Sequence, residues 1–241
     1  MTQSFVFLPA IQFKLYGFLI ALGILFSYQY CLKRCQKYNL TPENVDLSYI
    51  LGIILALVFA RIYHILSSSS YYLQNPVEMF FFWKGGLGIF GAIIGGFLGI
   101  LLTSKLRKIR LLTLLNLIFP SILFSQAIGR VGNFFNREGY GPITNLPWGI
   151  NIEGSLRHPT FFYESLLCLV AFMIFVIFVP EKNKIKFGFS YYLICYGLIR
   201  FITEFFRIDT WVLFNLHIAF IFSIYMILMG LILLFSTKRK L

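Results

Sequence analysis

What this sequence has least of is charge. Only 12% of its 241 residues are Asp, Glu, Lys or Arg, and the acids number nine. Against that, 59% of the chain is hydrophobic and mean hydropathy is +0.80. Several long, nearly uncharged runs can each cross a hydrocarbon core of ~30 Å, which takes ~20 helical residues. The chain therefore reads as an all-α polytopic membrane protein. Histidine is scarce too: His64, His158 and His217 form no pair with metal-ligand spacing. The four cysteines, Cys31, Cys35, Cys168 and Cys195, lie in or beside apolar runs. They lack the spacing of a disulfide framework or zinc site and read as small hydrophobes. No metal and no cofactor are expected. A secretory signal is missing as well, since the first apolar run, Ile11–Leu32, is too long for a signal h-region and lacks a small-residue cleavage site.

The net charge of +12 suggests nucleic acid until its distribution is followed. Thirteen of the 21 basic residues fall in four short clusters: Lys33/Arg34/Lys37, Lys105/Arg107/Lys108/Arg110, Lys182/Lys184/Lys186 and Lys238/Arg239/Lys240. They recur at every second membrane boundary, the positive-inside pattern that orients a membrane protein. No nucleic-acid partner is expected. Seven spans follow, at roughly 11–32, 47–66, 86–104, 111–128, 161–180, 187–206 and 215–236, with the N-terminus outside and the C-terminus in the cytoplasm. The whole chain, 1–241, reads as one transmembrane domain. It carries an interfacial arm at 67–85, rich in amphipathic aromatics, and a small extracytoplasmic head at 129–160 inserted between the fourth and fifth spans. Gly91, Gly95 and Gly99 leave one face of the third span as bare backbone, where a neighbouring helix can approach closely.

Eight basic residues lie outside the clusters: Lys14, Arg61, Lys84, Arg130, Arg137, Arg157, Arg200 and Arg207. The orientation puts all eight in the outer half of the membrane or beyond. Glu78, Glu138, Glu153, Glu164, Glu204 and Asp209 share that side. Arginine within a span costs a few kcal/mol or more and usually faces a cavity or an acid. Its planar, permanently charged fork suits a phosphodiester. Arg61, Arg130 and Arg200 thus point to an anionic phospholipid in the outer leaflet. Two plainer readings stay open. Arg200, Glu204 and Arg207 share a helical face, with Tyr196 one turn earlier, and can neutralise one another; Arg61 can simply brace the bundle. Gly129 and Gly132 flank Arg130 and allow close backbone approach, while Asn133 and Asn136 supply amides. His158 is either a proton carrier or a loop histidine bonded to backbone. His64 and His217 read as core histidines within apolar helices.

At these residues the sequence resembles the bacterial prolipoprotein diacylglyceryl transferase family. Gly129-Arg130-Val131-Gly132-Asn133-Phe134, with Asn136 and Glu138, carries the most specific part of the likeness. Tyr16-Gly17, Ala60-Arg61, Trp83 through Gly96, Gly141, Pro147-Trp148, His158-Pro159-Thr160 with Tyr163-Glu164, and Tyr196-Gly197 through Arg200, Glu204 and Arg207 follow the family order. The resemblance implies transfer of the diacylglyceryl group of phosphatidylglycerol to the lipobox cysteine thiol of a preprolipoprotein, with glycerol phosphate leaving. It implies a bacterial inner-membrane location and signal peptides as partners. Arg130 and Arg200 would be the principal arginines. Tyr196, His158 and Glu204 would join them in catalysis. Asn133, Glu138, Tyr16, Arg61 and Arg207 would help hold the lipid. In one respect the chain departs from the family: Phe90 stands where many members carry a histidine proposed as the base. His158 or Glu204 would then have to serve. The competing class is a secondary transporter or channel for an anionic solute, which predicts charge in both membrane halves and often internal repeats.

Overall fold

A computed structural model describes residues 4–8, 11–81, 83, 85–136, 138–152, 154–208, 212–213 and 216–238. Strands β1 (Ser4–Leu8) and β2 (Ile11–Lys14) form a hairpin ahead of α1 (Leu15–Arg34). A short 3-10 turn leads to α2 (Pro42–Ser67), then α3 (Ser69–Gln74), a second 3-10 turn (Pro76–Phe80) and α4 (Ile89–Leu106). Helix α5 (Leu111–Asn136) precedes the hairpin β3 (Ile150–Ile152) and β4 (Ser155–Arg157). The chain ends with α6 (Thr160–Phe178), α7 (Glu181–Glu204), the hairpin β5 (Val212–Leu213) and β6 (Leu216–His217), and α8 (Ile218–Lys238). Among the described residues seven helices, α1, α2 and α4 to α8, are long and apolar enough to cross a membrane. This is a multi-pass membrane protein.

The helix ends move relative to expectation. The α5 helix does not stop at Ile128 but runs two turns further, through the Gly129–Asn136 motif. Glycine in a helix costs only ~1 kcal/mol against alanine, and a continuous helix keeps every backbone group paired where water is scarce. The connection to α6 therefore shrinks to 137–159. Helix α7 starts at Glu181, earlier than 187, and its buried Lys184 is partnered: Nζ donates to Val176 O of α6 and pairs with Glu181 of its own first turn. The first four residues of the first apolar run form β2 instead of helix. His217 lies in β6, ahead of α8 and not within it.

The described chain divides into two compact units. One comprises Leu32–Leu115. There α2 and α4 meet backbone to backbone. A methyl group at Gly91, Gly95 or Gly99 would strike the Phe59 carbonyl, the Leu55 carbonyl or Gly52. The glycine face thus meets α2. Arg61 reaches out of α2 and donates to the carbonyls of Glu78, Met79, Gly85 and Gly86. Gly85 and Gly86 adopt positive φ, 97° and 72°, to aim those oxygens inward.

The other unit comprises Met1–Cys31 and Asn116–Leu241. Its core holds Leu123, Ala127, Cys168, Ala171, Phe172, Tyr192, Leu193 and Ile199. Pro120 cannot donate to the Asn116 carbonyl; Gly188 of α7 packs against that oxygen instead. The Asn116 amide also donates to Ile185 and Lys186 carbonyls and accepts from Phe189 N–H. Ser125 bonds the Gly23 carbonyl, and Ser165 the Ala127 carbonyl. Small residues line the α7–α8 seam: Gly197 lies against Ser223, and Gly230 against Ser190. The Ser165 tie and the Gly197 contact lie near the helix ends where the charges gather, and the Asn116 ties hold the opposite ends of α5 and α7 together.

Candidate functional site

Three helices of the second unit carry polar groups to one place. Arg130 comes from the last third of α5 and Glu164 from the second turn of α6. Tyr196, Arg200 and Glu204 come from the end of α7, and Arg207 from the residues just after it. Glu164, with 0% of its side chain exposed, is the hub. Arg130 Nη2 stands 2.6 Å from its Oε1; Arg200 Nη1 stands 3.2 Å and Arg207 Nη1 3.7 Å from its Oε2. The Tyr196 hydroxyl lies 3.4 Å from Glu164 Oε1 and receives a long bond from Arg130, 3.5 Å. Arg200 also donates to Glu204 Oε2 at 3.1 Å.

Three guanidinium groups thus face two carboxylates and one positive charge is left over. Arg130, Arg200 and Arg207 keep 24, 18 and 15% of their side chains exposed. A guanidinium has more N–H donors than these contacts use, so each can bind a further anion. Burial, then repulsion from Arg200 and Arg130, pulls the Arg207 guanidinium below its usual value, with Glu164 and Glu204 opposing. Such a site is short of negative charge, which is the kind of charge that a phosphate or phosphodiester carries.

Below this cluster the string continues. Gln126, one turn before Arg130, donates to the Tyr192 hydroxyl at 3.0 Å. The Tyr192 ring stacks on Tyr196 at 5.7 Å and 14°. Tyr16 packs its ring where a side chain at Gly132 would stand, so that glycine serves close approach. Asn133 is buried beside Gly139, and its carbonyl accepts from Glu138 N–H, while the Glu138 side chain is exposed.

His158 belongs to a different constellation. Its Nδ1 lies 3.1 Å from the Tyr163 hydroxyl, which accepts from Trp148 Nε1 at 2.9 Å. Its backbone pairs with Gly141 and Pro142, and Thr160 bonds the Phe206 carbonyl. This chain ties the head to the first turn of α6. Arg61, in the first unit, spends its fork on backbone carbonyls, the bracing role that was one of its two readings. Phe90 opens α4 with its ring 5.8 Å from Tyr63. Arg137, Glu153 and Asp209 lie outside the described residues.

Sequence reasoning grouped Glu164 with the acids expected on the outer side and missed its role. The available signal was a shortage: three arginines along two helix ends need a carboxylate, and few acids exist to supply one. One of the open readings had Glu204 neutralise Arg200 and Arg207; it pairs with Arg200, and Arg207 lies against Glu164.

Comparison with known proteins matches residues 3–236 to the family described as prolipoprotein diacylglyceryl transferase. The chain is 36% identical over 228 residues to the phosphatidylglycerol–prolipoprotein diacylglyceryl transferase of Finegoldia magna, covering 93% of this chain and 91% of that one. It is 34% identical over 241 residues to the enzyme of the same name from Clostridium novyi, covering 95% and 93%. For the Synechocystis enzyme of that name the identity is 37% over 231 residues, covering 89% and 82%.

Proposed function

The chain belongs to the prolipoprotein diacylglyceryl transferase family, and on that premise we propose that it transfers the diacylglyceryl group of phosphatidylglycerol to a lipobox cysteine thiol. A thioether forms and glycerol phosphate leaves. The observation that carries this reading is the convergence of Arg130, Arg200 and Arg207 on one buried carboxylate, with positive charge to spare. The reaction displaces a phosphodiester oxygen from an sp3 glycerol carbon. The leaving phosphate gains charge as its bond breaks, so cations fixed around it stabilise the transition state more than the ground state.

Arg130 and Arg200 are assigned to the phosphate, with Arg207 behind them. Glu164 holds all three in position and offsets their mutual repulsion. Tyr196, stacked on Tyr192, keeps the Arg130 and Glu164 side chains in register. Tyr16 and Asn133, beside the Arg130 turn, border the lipid; Glu138 lies at its exposed rim. His158, bonded to Tyr163, acts on the head rather than on the phosphate. The basic clusters support an orientation with the N-terminus outside and the C-terminus in the cytoplasm of a bacterial inner membrane, so that the signal peptide of the preprolipoprotein meets the site from the bilayer. An anion transporter finds no comparable support, since the Arg130–Glu164–Arg200 cluster sits at one end of its helices.

The test is mass spectrometry of a synthetic lipobox peptide incubated with purified protein and phosphatidylglycerol, with Arg130→Ala alongside. A gain of one diacylglyceryl group, abolished in a folded variant, is expected. No gain with folded wild-type protein would reject the transferase reading; near-normal rates in the variant would reject the phosphate assignment.

A further inference from the structure

Two polar atoms beside the arginine cluster are left over. Glu204 Oε1 and His217 Nδ1 are both covered from solvent without a hydrogen-bond partner, and they face each other at 3.7 Å. Buried polar atoms are rarely left unpaired. These two need a shift of only ~0.5–1 Å to reach N–H···O distance. Glu204 is the fixed member: Arg200 holds its other oxygen at 3.1 Å and 1% of its side chain is exposed. His217 is the open member. Its Nδ1 is covered, yet 40% of its side chain remains exposed. The exposure thus falls on the rest of the side chain, which includes Nε2.

We propose that Glu204 and His217 form a catalytic dyad. Glu204 accepts from Nδ1–H of His217, and Nε2 is the base that takes the proton of the attacking thiol. This rests on the transferase reading. A carboxylate that holds one imidazole nitrogen as a donor fixes the tautomer, leaves the other as an acceptor and stabilises the imidazolium once it forms. Atoms and electrons balance: the thiol proton passes to Nε2, and sulfur forms the S–C bond to the glycerol carbon. The C–O bond to the phosphodiester breaks, its electron pair leaves on glycerol phosphate, and the imidazolium returns its proton to water. Glu204 thereby joins the two halves of the chemistry, since it touches Arg200 of the phosphate site through one oxygen and the base through the other.

Among the described residues, the charged groups around His217 are few. Glu204 on α7 faces it directly; Arg200, Arg207 and Glu164, and behind them Arg130, are reached through Glu204. The first turn of α8 contributes Phe220, whose ring is 5.6 Å from the imidazole, and no titratable side chain.

The experiment measures thioether formation on a lipobox peptide from phosphatidylglycerol between pH 5 and 9.5, for wild type, His217→Asn and Glu204→Gln. Asparagine at 217 is expected to lower kcat by on the order of 100-fold at pH 7, with KM for the lipid nearly unchanged. The deficit should close as pH rises past the free thiol value of ~8.5, where substrate ionises unaided. Glu204→Gln should lower the rate and displace the acid limb. A His217→Asn rate within twofold of wild type, or a deficit constant with pH, would overturn the dyad. If the variants do not fold, a wild-type profile with no ionisation below pH 8 overturns it by itself. A wild type that turns over with an intact His217→Asn variant removes only the dyad; a folded wild type that makes no product removes the transferase reading with it.

Discussion

Replacing Glu164 by Gln removes one negative charge and almost no volume from the midst of three guanidinium groups. The carboxylate oxygens stand 2.6, 3.2 and 3.7 Å from Arg130, Arg200 and Arg207. With an effective dielectric of about 20, each contact is worth roughly 4–6 kcal/mol before desolvation is counted. Desolvation opposes most of that, and deleting one partner of a buried ion pair costs about 3–5 kcal/mol. Purified Glu164→Gln is therefore expected to melt well below wild type, by about 6–20 °C if 1 kcal/mol moves the midpoint by ~2–4 °C in a chain of this size. A second arm separates charge from packing. The variant leaves three cations facing Glu204 alone, so phosphatidylglycerol should stabilise it more than it stabilises wild type. A hundredfold excess over Kd corresponds to about 2.7 kcal/mol. Zwitterionic phosphatidylcholine should not substitute. Melting curves in detergent, with each lipid titrated, read both arms. An unchanged midpoint, or equal rescue by the two lipids, refutes the electrostatic account of the cluster.

Two further predictions concern the scaffold. Gly95→Ala should lose about 1–3 kcal/mol or more, because its methyl meets the Leu55 carbonyl, whereas Gly96→Ala, with nothing within 4 Å, should behave as wild type; size-exclusion profiles of detergent extracts compare the two. Arg61→Lys cannot span the four carbonyls of Glu78, Met79, Gly85 and Gly86, so limited proteolysis within 78–86 should accelerate, and an unchanged cleavage rate would show that the fork does not hold that segment.

The seven spans were legible because hydropathy over some twenty residues is a local property that the bilayer reads directly. So was the glycine face of α4, since a four-residue period places Gly91, Gly95 and Gly99 on one stripe. The end of α5 was not, because Gly129 and Gly132 suggest a break while their surroundings favour continued helix. The site was half legible. Arg130 and Arg200 declare themselves as charges inside apolar runs. Glu164 stood in view among the acids, but its meeting with three arginines joins residues 34, 36 and 43 positions apart, and no local pattern encodes that. His217 was misread for a related reason: hydropathy merged β6 into α8, and only the hairpin turns the imidazole toward Glu204.

The contact between α2 and α4 has a consequence for how this chain can vary. Where two helices meet through carbonyls and glycines, no side chain lies between them to repack. One residue added within α4 ahead of Ile94 would turn everything beyond it by about 100° and bring Ile94 and Leu98 to the places where Gly95 and Gly99 now meet α2. The seam is thus a counting device as well as a contact, and it fixes the number of residues between Gly91 and Gly99.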